Sequence, residues 1–116
     1  MAQKNVVLTI NQPPFGSIHY VEGLRAAVGV ISGLDEHQLS LVYLGDGVYN
    51  ALKDVKRDEQ MGYLGILNAK DVKVAVERES LNERGISEDN VYDQFEVIGR
   101  NEVLDLINNA DSTIDF

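Results

Sequence analysis

Cysteine is absent from all 116 residues. That removes disulfides, zinc–thiolate sites, iron–sulfur clusters and any thiol or persulfide chemistry on this chain. Basic side chains are scarce, with 10 Lys and Arg against 19 Asp and Glu, and the net charge is −9. An acidic chain is repelled by a phosphate backbone, so no direct nucleic-acid partner is expected. Lys53, Lys56 and Arg57 do cluster, but Asp54 and Asp58 interleave with them. That segment reads as a solvated, charged break. Long apolar runs are missing too. None approaches the roughly 18 residues that span a bilayer. The five mostly apolar residues before Asn11 and Gln12 are too few for a signal-peptide core. The expectation is a cytoplasmic protein with no membrane partner.

Recognisable motifs are also few. No P-loop is present, and the single G-x-G of Gly45-Asp46-Gly47 lacks the third glycine of a dinucleotide fingerprint. Acidic residues do not cluster after the first strand, as a Mg²⁺-dependent phospho-acceptor would require. His19 and His37 are not spaced as metal ligands, and no serine sits in a G-x-S-x-G elbow. His37, in "LDEHQ", reads as solvated. No cofactor and no metal are expected.

What is present is an alternation of short β-branched runs with helical periodicity. Asn5–Ile10 reads as a strand. "NQPPFGS" holds both prolines and stops it. Ser17 is placed to cap a helix carrying Ile18, Val21, Leu24, Val28 and Ile31, which Gly33 ends. Leu39–Leu44 is a second strand, followed by a helix from Asp46 and another over Glu59–Asn68. Val72–Val76 is a third strand, leading into a helix over Arg78–Arg84 that Gly85 stops. Phe95–Ile98, a helix capped by Asn101, and Ser112–Phe116 complete the pattern. Strand–helix alternation with strands apolar on both faces predicts one α/β domain over residues 1–116. Its architecture is a three-layer α/β/α sandwich around a mostly parallel five-stranded sheet.

In such a sheet the segments after the strands form the functional rim. These are Asn11–Ser17, Gly45–Tyr49, Glu77–Ser80 and Gly99–Asn101. The candidate cleft or interface comprises Pro14, Phe15, Gly16, Ser17 and His19 from the first of these and its helix. Asp46, Gly47 and Tyr49 come from the second, Glu77 and Arg78 from the third. Glu77 with Asp46 is the one acid–base pair the rim offers. Each is better explained as an acid at a helix start, where the macrodipole favours it by about 0.3–1 kcal/mol. Ser80 reads as a solvated first-turn residue. Tyr43 reads as core, and Tyr49, Tyr63 and Phe15 as interface candidates.

"PPFGS", "EGLRAAVGVISG", "LSLVYLGDGVYNAL", "ESLNERGI" and "ADSTIDF" together resemble the DsrE/DsrF/TusC family of small sulfur-relay proteins, in order and spacing over nearly the whole chain. "GDGVYNAL" and "SLNERGI" point to the DsrF/TusC-like subgroup. The resemblance implies an α/β/α sandwich, trimers or hexamers built from related subunits, and a sulfur-acceptor protein as partner. It implies a role in tRNA thiolation or in intracellular sulfur oxidation. It also implies a sulfur-carrying cysteine a few residues before Arg84-Gly85, at the position of Glu77. A carboxylate cannot hold a second sulfur, because persulfide transfer needs a thiolate.

Three readings follow. The first is a noncatalytic subunit, or an assembly and partner-binding protein, of a sulfur-relay complex. The second is a homo-oligomeric small-molecule-binding protein on the same fold. The third is a cysteine-independent enzyme using Glu77 and Asp46. The first is preferred, and no enzymatic activity is expected.

Overall fold

The computed structural model describes residues 4–13, 19–32, 37–53, 61–70 and 72–116. Its five strands are β1 (Asn5–Ile10), β2 (Gln38–Tyr43), β3 (Lys73–Glu77), β4 (Glu96–Ile98) and β5 (Ser112–Asp115). They form one sheet in the order β4-β3-β2-β1-β5. Every pairing is parallel, so the sheet is wholly rather than mostly parallel. The helices are α1 (His19–Ser32), α2 (Met61–Ala69), α3 (Arg78–Glu83) and α4 (Arg100–Asn109).

The topology fixes the layers. From β1 to β4 the chain steps across the sheet in one direction, then returns past β1 to β5. Right-handed crossovers therefore place α1 and α2 on one face and α4 on the other. The buried clusters agree. Val6, Leu8 and Ile10 of β1 join Leu24, Ala27 and Ile31 of α1 and Leu64 and Leu67 of α2. Val7, Val42, Ala75 and Ile98 face the opposite way and pack on Val103 of α4. Successive strand residues alternate between these clusters, which is why the strands read as continuous apolar runs.

Alternation also decides where Glu77 goes. Val74 and Val76 face the α1–α2 side, while Ala75 packs with the α4 cluster. Glu77, two residues beyond Ala75, shares the α4 side at the carboxyl end of β3.

Several boundaries differ from the sequence reading. Glu77 is the last residue of β3 rather than the first after it. The helix expected from Asp46 is a 3-10 segment, Gly45–Ala51. Its seven residues are long for that geometry. Asn101 does not cap α4. Gly99 occupies the cap position, and the amide of Arg100 is bound by the Glu79 carboxylate at 2.8 Å. His37 is half-buried, and its Nδ1 accepts the Lys4 amide at 3.1 Å. Gly85 adopts φ +67°, the left-handed stop expected after α3. The expected Ser17 cap, the Gly33 stop and the break at 54–58 lie outside the described residues.

Candidate functional site

Glu77 is 5% exposed. A buried carboxylate is costly unless paired and hydrogen-bonded. Here Ser80, one turn into α3, donates its hydroxyl to Glu77 Oε1 at 2.5 Å. Arg100, the first residue of α4, donates from Nη2 to the same oxygen at 3.0 Å. Nη2 also donates to Glu83 Oε1 at 2.7 Å. With the Glu79 bond to its amide, Arg100 is held by three carboxylates from β3 and α3. Its hydrogen bonds to Glu77 and then to Glu83 raise the Arg100 pKa above its ordinary value, so this cation stays charged.

Ser80 links this pair to the 3-10 segment. Its Oγ accepts the Gly45 amide at 2.9 Å. Gly45 has φ +56°, a conformation that favours glycine and that presents its N–H to the serine. The segment lies tightly on the end of β1, for an added Cβ on Gly47 would stand 1.8 Å from the Ile10 carbonyl oxygen. Asn50, fully buried, donates to the carbonyls of Gln12 and Gly47 at 2.7 and 3.2 Å, joining the segment to the chain after β1.

Between the 3-10 segment, α3 and α4 opens a cleft of about 300 Å³. Glu77, Ser80, Glu83, Arg84 and Arg100 form its polar side. Leu44, Val103, Leu104 and Ile107 form its apolar side. Leu104 is 49% exposed, one of two large apolar side chains so exposed among the described residues. A larger hollow of about 810 Å³ lies at the opposite end of the sheet, by Asn5, Gln38 and Lys73. Its ionisable side chains are all exposed or half-buried. Among the described residues Glu77 is the buried charge, and it borders the smaller cleft.

The rim residues named from the sequence fall into distinct places. Asp46 is exposed and takes two hydrogen bonds from Arg84, at 3.1 and 3.0 Å. Asp46 does not border the cleft, so the two carboxylates of the acid–base pair are engaged by separate arginines. Arg78 pairs with Glu88 at 3.1 Å, away from the cleft. Gly47 is buried as a packing contact, and Tyr49 is half-buried in the 3-10 segment. His19 opens α1. Pro14, Phe15, Gly16 and Ser17 lie outside the described residues.

Sequence reasoning missed Ser80 and Arg100 as site residues. Ser80 is 2% exposed rather than solvated. The short α3 turns that side, with the fully buried Leu81, into the protein. Both residues lie in the rim segments that the strand pattern marks. The missing signal was a cation directly after one strand end answering an acid at the neighbouring one.

A wholly parallel five-stranded sheet covered on both faces, with a polar cleft at its strand ends, defines the doubly covered α/β class. Within that class, the model of the DsrE/DsrF-like family matches residues 4–116. The chain belongs to this family. Among solved structures it is similar to the ychN protein from E. coli, at 27% identity and TM-score 0.81, covering 99% of this chain and 100% of that one. It shares its fold with MTH1491 from Methanobacterium thermoautotrophicum, a protein of unknown function, at 15% identity and TM-score 0.77. That likeness covers 98% of this chain and 100% of the other. No curated protein matches the sequence significantly.

Proposed function

We propose that this protein is a noncatalytic subunit, or an assembly and partner-binding protein, of a sulfur-relay complex of the DsrE/DsrF/TusC type. The observation that carries the reading is the residue at the end of β3. The family resemblance puts the sulfur-carrying cysteine there, and this chain has a buried, hydrogen-bonded glutamate. No cysteine elsewhere in the sequence can take over the transfer. Family membership supports the relay context, and a glutamate in place of the thiol supports the noncatalytic role. The acidic surface, with net charge −9, suits a partner with a basic face.

The test is co-purification with a cysteine-bearing relative from the same source, followed by sulfur transfer from a labelled persulfide donor. The expected result is a stable mixed oligomer in which label resides on the relative alone. Transfer to the acceptor then rises when this chain is present. A monomer, or a homo-oligomer that ignores the relative, overturns the reading.

A further inference from the structure

The cleft beside Glu77 has the chemistry of a small receptor. Both hydrogen bonds to Glu77 end on Oε1, from Ser80 and Arg100. Oε2 accepts none from any described residue, and it is not sealed from solvent. A side chain only 7% exposed thus keeps one carboxylate oxygen open at the cleft that it borders. Arg100 is open in the complementary sense. Nη2 alone serves Glu77 and Glu83, which uses its two hydrogens. Three of the five guanidinium N–H groups therefore have no acceptor among the described residues. Arg84 is engaged at all three of its nitrogens, by Asp46 and the Ser80 carbonyl, and keeps two N–H groups against the three of Arg100.

An unused acceptor and unused cationic donors thus share one cleft, against a wall of Leu44, Val103, Leu104 and Ile107. A ligand matching this must carry an ammonium, a carboxylate and an apolar body together. A simple fatty acid leaves the Glu77 oxygen bare. A simple alkylamine leaves the Arg100 donors unmatched. We propose that the cleft binds a free aliphatic α-amino acid. Its ammonium sits on Glu77, its carboxylate on Arg100 and its side chain against Leu104 and Ile107. The volume of about 300 Å³ falls at the small end of the roughly 300–1,000 Å³ typical of ligand pockets, which suits a ligand of this size. The partial exposure of Leu104 becomes a ligand contact waiting to be covered.

This proposal stands apart from the relay reading and needs no partner protein, so either can fail alone. The experiment is isothermal titration calorimetry of the full chain with L-leucine. It is repeated with 3-methylbutylamine and with 4-methylpentanoic acid, which lack the carboxylate and the amine respectively. Leucine is expected to give saturable one-to-one binding at millimolar concentration or below. Each analogue is expected to bind at least about tenfold more weakly. Glu77→Gln and Arg100→Met should each weaken leucine by a similar factor. Leu104→Asp changes an exposed position, keeps the fold by circular dichroism, and should weaken leucine likewise. Absence of saturable leucine binding to the wild-type chain overturns the proposal. So does equal binding of either analogue, or undiminished leucine binding in folded Leu104→Asp.

Discussion

Gly47→Ala is a severe test of how the rim is assembled. An ideal Cβ at Gly47 stands 1.8 Å from the Ile10 oxygen, 2.5 Å from the Ile10 carbonyl carbon and 3.1 Å from the Asn11 nitrogen. Ordinary carbon–oxygen contacts are about 3.3 Å or longer, so backbone must yield by about 1.5 Å. The atom in the way is not free to yield, since the Ile10 oxygen accepts the Leu44 amide at 3.1 Å where β1 meets β2. Overpacking costs about 1–3 kcal/mol, and loss of that hydrogen bond adds about 0.5–1.5 kcal/mol. The expected destabilisation is about 2–4 kcal/mol. In urea unfolding followed by circular dichroism, a slope of about 2 kcal/mol per M turns this into a midpoint drop of about 1–2 M. Gly47 does not have a positive φ, so alanine is refused for lack of space and not for backbone conformation. A midpoint within about 0.3 M of wild type would refute the reasoning. A folded Gly47→Ala chain should also lose hydrogen-exchange protection at the Gly45 amide, because the same displacement draws Gly45 away from Ser80.

The same substitution at Gly29 or Gly65 should have the opposite sign. An added Cβ meets nothing within 4 Å at either place, so each alanine should stabilise its helix by about 0.5–1 kcal/mol in the same urea assay. Ser80→Ala leaves the buried Glu77 oxygen and the Gly45 amide short of a partner, and should cost about 1–3 kcal/mol by urea unfolding. Asp46→Ala removes an ion pair whose carboxylate is 59% exposed, and should change stability by less than about 1 kcal/mol. For Arg100 the sign follows from its raised pKa. A raised folded-state value contributes stability that is complete below the ordinary arginine value and is lost only as pH climbs through the folded one. The gap in unfolding midpoint between wild type and Arg100→Met should therefore stay constant from about pH 6 to about pH 10, and a gap that closes in that window would contradict the charge assignment.

The strand pattern was legible because each strand is short, apolar on both faces and bounded by polar or turn residues. Val6–Ile10 and Leu39–Tyr43 carry it most clearly, and both are almost wholly buried. The site was legible only as a rim. Periodicity marked Glu77, but it could not show that β3 includes Glu77 or that the residue turns toward α4. It left Ser80 as a solvated residue, because the burial of that side chain depends on how the 3-10 segment lies across α3. Arg100 was hidden for another reason. Its partners Glu77, Glu79 and Glu83 lie 17 to 23 residues away, so no local spacing rule connects them. The cap of α4 failed in the same way. A carboxylate from another helix displaced the local Asn101 that the sequence offers.

The strand order carries a consequence for how the protein is made. β1 pairs with both β2 and β5, and Val6 lies opposite Ser112. At ribosomal rates of about 5–20 residues per second, β1 waits roughly 5–20 s for that second neighbour. In the interval one side of β1 is an open edge, and α4, which supplies the cleft wall and Arg100, is also missing. Glu77 is synthesised before its cation, and the nascent rim carries an unneutralised acid until α4 arrives. Formation of the cleft and closure of the sheet are thus late events of the same segment. High sequence separation of this kind slows folding. A chaperone that shields the β1 edge would raise the yield of folded protein more than one that acts on the β2–β3 side.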